Sequence, residues 1–235
     1  MTDIYTTCEG YPSLQLMGGG FNLQPCFSWE GEDIVANKIL MDTFGIETGY
    51  YLDVGAHHPF NLSNTAYFYR KGWRGLNVDA MPGAMDEFHA LRPEDTNIEA
   101  GVSDEPGSLL FSIFTDPGLN GFLSEKDVQH HLNNGQVLVE QKTIECRTVN
   151  DIIETHAKQP IDLMSIDVEG LDYRIIRSMA EKHRPKMIIT ETLGYPDVVS
   201  VLSSPIYGLM TARDYAFVSR LDFSCIFIDR RALRR

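Results

Sequence analysis

The chain has 235 residues, 43% of them hydrophobic and 10% aromatic, enough to bury a substantial core in one compact domain. Its formal net charge of −13 argues against a duplex nucleic-acid surface, which needs clustered Lys and Arg; the basic tail Asp229 to Arg235 reads as a solvated end. Neither a basic-then-apolar leader nor an apolar run of about 18 residues is present, so neither secretion by signal peptide nor a membrane span is expected. Four cysteines (Cys8, Cys26, Cys146, Cys225) without C-x-x-C or metal-ligand spacing fit a reduced, cytoplasmic protein.

Residues 1–27 carry "MGGG" and no sustained period, and read as an irregular arm. From Glu32 to Phe44 apolar residues recur at helical spacing and Gly45 follows as a stop. "GYYLDVGA" (Gly49 to Ala56) is short, β-rich and closed by glycine, as a buried strand should be. Ser63 to Gly72 predicts a helix with a Ser/Asn cap, Arg74 to Ala80 a second strand, Gly83 to Leu91 a helix and Asn97 to Ser103 a third strand. After an insertion the alternation resumes. Ile161 to Gly170 is a fourth strand, Leu171, Ile175, Ile176 and Met179 mark a helix face, and Lys186 to Thr192 is a fifth strand. Tyr215 to Arg230 reads as two strands with a tight connection, hence antiparallel. Such alternation predicts an α/β fold with a mostly parallel sheet. The insertion (104–149) holds two strand-like stretches, Ser108 to Phe114 and Gln136 to Val149. The polar segment between them reads either as a lid or as a disordered excursion.

Ligands of open α/β sheets sit beyond the carboxyl ends of the strands. Those ends carry Asp53 and Gly55, then Asp79, then Ser103 and Asp104, then Asp167 and Glu169, and lastly Glu191. Any one acid is explained by capping the next helix; all five ends together point to a site. A glycine at position 55 allows a tight turn and close approach of a ligand. Asp79, at the end of the next strand, suits both hydroxyls of a ribose. The loop Gly55-Ala56-His57-His58-Pro59-Phe60 lacks the G-x-G-x-x-G pyrophosphate fingerprint. A ribose acid without a phosphate cradle, on an acidic rim, favours cationic S-adenosylmethionine over NAD.

The block "YLDVGAHHPFNLSNTAYFYRKGWRGLNVDAMP", with "GVSDEPGSLLFS", "ECRTVNDII" and "MSIDVEGLDYRIIRSM" in that order, resembles the FkbM-type family of class I S-adenosylmethionine-dependent methyltransferases. The upstream "SWEGEDIVANKIL" is similar to the segment preceding the core in many members. The resemblance implies a Rossmann-like, seven-stranded, mostly parallel sheet with the last strand antiparallel, and O-methylation of a hydroxyl on a sugar or other natural-product-like acceptor. On that basis residues 1–45 form an arm and helix packed on a methyltransferase domain of residues 46–235. The resemblance also implies that Asp53, Gly55 and Ala56 form the methionine-side loop, Asp79 is the ribose acid, Val102 and Ser103 make the adenine-side turn, and Asp167 stands beside the reacting methyl. His57, Ser63 and Ala80 adjoin these positions and complete the expected cofactor set. Many members show "GAN-x-G" where this chain has "GAHHP".

Methyl transfer to a hydroxyl needs a proton acceptor. His58 and Glu169 lead the candidates, ahead of Asp167 and His57; alternatively, one histidine of the pair bonds only backbone in its turn. A divalent ion held by His58, Asp167, Glu169 and Glu191 is the rival, less favoured reading. The expected partner is a small, sugar-like hydroxylated acceptor, and nothing in the sequence fixes an oligomeric state. An NAD-dependent oxidoreductase and a catalytically silent binding module are the readings from other classes.

Overall fold

Alternation along the first strand sets the layering. β1 (Tyr50–Val54) is buried throughout. Tyr50, Leu52 and Val54 belong to one apolar cluster and Tyr51 to another, on the opposite face, as the two-residue period of a strand demands. These features come from a computed structural model that describes residues 25–234; the irregular arm expected over residues 1–27 lies almost wholly outside the described residues.

The chain continues through α2 (Ala66–Arg70), β2 (Arg74–Asp79), α3 (Ala84–Leu91) and β3 (Thr96–Glu99). With β7 (Leu163–Ile166), β8 (Met187–Glu191), β9 (Tyr215–Arg220) and β10 (Ser224–Asp229), these strands form a seven-stranded sheet in the order β3-β2-β1-β7-β8-β10-β9. β10 runs antiparallel to both β8 and β9, while the pairs from β3 to β8 are parallel. The expected mostly parallel sheet with an antiparallel last strand is therefore present. α1 (Glu32–Phe44), ended by left-handed Gly45, lays Ala36 and Leu40 on one sheet face against Tyr51, Leu163 and Met187. The other face is covered by Ile152, Ile176 and Met210 from α5 (Val149–His156), α6 (Asp172–Ser178) and the helix Pro205–Ala212. Helices on both faces account for the near-continuous burial of the central strands. No described helix is long and apolar enough to cross a membrane.

One strand differs from expectation. The single strand foreseen over Asn97 to Ser103 is two, β3 and β4 (Gly101–Ser103), in different sheets. The Ala100 N–H still reaches the Asp79 carbonyl at 2.9 Å. The chain then turns into a three-stranded sheet ordered β4-β6-β5, with β5 (Gly107–Phe114) and β6 (Leu138–Thr148). A Cβ at Gly101 would lie 2.6 Å from Cys146 Sγ and 2.7 Å from the Phe122 ring, so only glycine fits that corner. The polar segment of the insertion contains a 3₁₀ turn at Pro117–Leu119 and a helix, α4 (Glu125–Asn133). Its signal was Ser124, whose hydroxyl accepts the Asp127 N–H at 3.2 Å in an N-cap.

Candidate active site

The sheet order reverses between β1 and β7, and at such a point crossovers leave to opposite faces and open a crevice. The cleft there has a volume of about 1090 Å³ and is lined at the ends of β1, β2, β7 and β8. Gly55 sits at its centre with φ 77°, and an added Cβ would fall 1.8 Å from the carbonyl oxygen of Asp167. The glycine is thus demanded by the approach of two strand ends.

Asp79 enters the cleft with both carboxylate oxygens already aligned. Oδ2 accepts the backbone N–H of His57 and Oδ1 that of Met81, each at 2.8 Å. Burial raises its pKa while these two hydrogen bonds and His57 lower it. His57 reaches that bond by adopting φ 54°, a left-handed conformation uncommon outside glycine and asparagine, and its side chain is exposed at the cleft.

Of the other expected residues, Gly55, His57, Ala80, Val102, Asp167 and Glu169 line the cleft beside Asp79, whereas Asp53, Ala56, His58, Ser63 and Ser103 do not. Asp53 is only 4% exposed and accepts a hydrogen bond from the Thr65 hydroxyl at 2.6 Å. Alternation along β1 sends it to the opposite face from Val54. The Ser63 hydroxyl accepts the Ala66 N–H at 3.1 Å, fastening the start of α2, and the Ser103 hydroxyl donates to the Glu105 carbonyl. The Nδ1 of His58 accepts the N–H groups of Phe60 (3.0 Å) and Asn61 (2.9 Å), and its Nε2 lies 3.2 Å from Glu87. One nitrogen is therefore spent on the loop backbone and the other on Glu87 of α3.

Sequence reasoning passed over Arg92, which is fully buried. Its guanidinium donates to Asp95 at 2.9 Å, the Tyr51 hydroxyl at 2.7 Å, the Thr65 hydroxyl at 3.0 Å and the Pro59 carbonyl at 3.3 Å. It braces the loop from behind, and a lone arginine before proline gave no warning of that.

At the other end of the cleft, oxygens of Asp167, Glu169 and Glu191 lie within 4.8 Å of one another. Glu169 takes φ 50° and Gly170 φ 92°, so the chain after β7 turns sharply. Restricted hydration, reinforced by Glu32 at Asp167, by Asp167 at Glu169 and by both Asp167 and Glu169 at Glu191, raises these groups to about 6, about 7 and about 9 in turn. Glu30, just ahead of α1, and Glu32, its first residue, reach the same cleft. Glu30 accepts the Phe223 N–H at 2.7 Å and Glu32 accepts the Ser224 hydroxyl at 2.8 Å. Among the described residues lining the cleft there is no Lys or Arg.

The insertion supplies the facing wall. Phe111, Ile113 and Phe114 line the cleft, and Phe111 packs against Phe122 with ring centroids 5.0 Å apart. A Cβ on Gly121 would stand 2.8 Å from Glu169 Cβ, so the insertion closes directly on the acidic end.

A sheet of this order, with an acid closing the second strand and a glycine turn closing the first, defines a class I methyltransferase-like protein. The chain belongs to the methyltransferase FkbM domain family, whose model matches residues 53–217, and the resemblance read from the sequence is thereby borne out. No curated protein matches the chain. Among solved structures, it is similar to a TehB-like SAM-dependent methyltransferase from Corynebacterium glutamicum, at 10% identity over 86% of this chain and 88% of that one, with a TM-score of 0.43. It is also similar to precorrin-6y C5,15-methyltransferase from Geobacter metallireducens, at 8% identity over 83% and 87%, with a TM-score of 0.41.

Proposed function

We propose that the protein transfers the methyl group of S-adenosylmethionine to a hydroxyl of a small, sugar-like acceptor. The observation that carries this reading is one continuous cleft with a prealigned Asp79 at one end and the converging carboxylates at the other. Asp79 has lone pairs left for the two ribose hydroxyls, Gly55 and Ala80 border the cofactor, and Val102 supports the adenine side. The acidic lining, free of Lys and Arg among the described residues, suits the cofactor's sulfonium and ammonium charges. When bound, the cofactor supplies an electrophilic methyl carbon.

The chain's own work is alignment and proton transfer. The acceptor oxygen must approach to about 3 Å, in line with the leaving sulfur. The new carbon–oxygen bond forms as the carbon–sulfur bond breaks with its electron pair going to sulfur. The hydroxyl proton passes to the acidic end of the cleft, where Glu169 and Asp167 replace His58 in the role, since the histidine's nitrogens are engaged with backbone and Glu87. Phe111 and Phe114 give the cleft an apolar wall that limits the entry of water. Free thiols at Cys26, Cys146 and Cys225 support a reducing, cytoplasmic setting.

Calorimetry with S-adenosylmethionine and with NAD, followed by methyl transfer to a panel of hydroxylated glycosides, tests the reading. We expect binding of the methyl donor, no binding of NAD, and turnover reduced about 10²-fold or more in Glu169→Gln. Tight NAD binding without donor binding would make the protein an oxidoreductase. Donor binding with no transfer to any acceptor would make it a silent module.

A further inference from the structure

We propose that Asp167, Glu169 and Glu191 together bind one hard divalent cation, of the Mg²⁺ or Mn²⁺ class, at the acidic end of the cleft. One oxygen from each carboxylate lies within 4.8 Å of the other two. An octahedral ion holding oxygens at about 2.1 Å separates neighbouring ligands by about 3 Å and opposite ones by about 4.2 Å. Small side-chain rotations therefore bring all three onto a single ion. An all-carboxylate set is hard, which selects Mg²⁺, Mn²⁺ or Ca²⁺ over zinc or copper.

A fourth group makes the same demand independently. Asp172, the first residue of α6, is 5% exposed, and its Oδ1 has no hydrogen-bond partner. Its carboxyl group lies close enough to Asp167 and Glu169 to be repelled by both, and it repels Glu191 in turn. A buried, unpartnered carboxylate oxygen is costly unless positive charge stands nearby. Among the described residues of the adjoining cleft there is no Lys or Arg to provide it. A cation held by the three carboxylates satisfies that need, with Asp172 outside the ligand shell. His58 is not part of the set, unlike in the four-residue arrangement weighed from sequence, because Glu87 and the loop backbone hold its ring.

The use of such an ion rests on the methyl-transfer reading. An acceptor hydroxyl that coordinates a divalent cation becomes more acidic, so its proton departs at neutral pH without a single dedicated base. Binding of the ion does not rest on that reading and is measurable without donor or acceptor.

The test is Mn²⁺ titration of the full chain after EDTA treatment and dialysis, read by electron paramagnetic resonance and by calorimetry. We expect one saturable Mn²⁺ site per chain, weakened about tenfold or more by Glu191→Gln and by Asp167→Asn. Competition by Mg²⁺ should displace the Mn²⁺ signal. Glu87→Gln, which alters an acid at the cleft mouth, should leave the affinity unchanged, and circular dichroism of each variant establishes that it is folded. No saturable binding at millimolar Mn²⁺, or binding indifferent to Glu191→Gln, would overturn the site. Either result could coexist with methyl transfer, whereas Mn²⁺ binding without donor binding would sink the enzymatic reading and leave the site standing.

Discussion

The carbonyl oxygen of Asp167 occupies the space that a side chain on Gly55 would need. Strand β1 ends at that glycine's turn and strand β7 ends at that carbonyl, so one contact fixes the crevice at the point where the sheet order reverses. A Cβ there would meet the oxygen at 1.8 Å, on a residue with φ 77°.

Gly55→Ala should therefore cost about 3 kcal/mol or more, since it combines left-handed strain with overpacking against backbone. Chemical denaturation measures the loss, and binding of S-adenosylhomocysteine should fall with it. A fully stable variant would mean that the two strand ends are further apart than described.

Asp79→Ala should weaken S-adenosylhomocysteine binding by about 1–3 kcal/mol, the range for lost charge-assisted hydrogen bonds. It also releases the N–H groups of His57 and Met81, so the loop should loosen; hydrogen exchange at those two amides would report it. Unchanged affinity in calorimetry would place the ribose elsewhere.

Asp53 gives the protein a pH-dependent stability. Burial raises its pKa from 3.8 to about 6, against the lowering effects of the Thr65 hydrogen bond and the Arg92 charge. The native state then holds this proton more tightly than the unfolded chain. Between about pH 4 and pH 6 the native state binds more protons, so stability falls as pH rises through that window and stays reduced above it. The contribution is about 3 kcal/mol at most, from about 1.4 kcal/mol per pH unit. Asp53→Asn should lose that slope: denaturant midpoints at pH 4 and pH 7 should diverge less in the variant than in the wild type. Parallel midpoints would assign Asp53 an ordinary carboxylate pKa.

Much of the site was legible because strand ends are legible. A β-rich run closed by glycine, followed one strand later by "NVDA", places Gly55 and Asp79 at the same rim without any knowledge of pairing. What the run does not reveal by itself is which face each side chain takes. Asp53 looked equivalent to Asp79 as an acid closing a strand, yet its position between Leu52 and Val54 turns it toward Thr65 and away from the cleft. Strict alternation along "YYLDV" carried that information. The two histidines offered no comparable signal, since a turn's hydrogen bonds depend on φ values that the sequence "GAHHPF" does not specify.

Fold class, the order of the strands that carry acids, and the family are all readable along the chain, because periodicity and strand-end chemistry are local. Which of those acids meet depends on how the strands pack. Asp167 and Glu191 stand 24 positions apart in the chain and at the ends of neighbouring strands, and Glu30 and Glu32 arrive from the start of the first helix. Their convergence is set by parallel pairing of β7 with β8 and by the start of β10, which holds Glu32 through Ser224. Pairing of distant segments is a property of the packed core, so no window of sequence contains it.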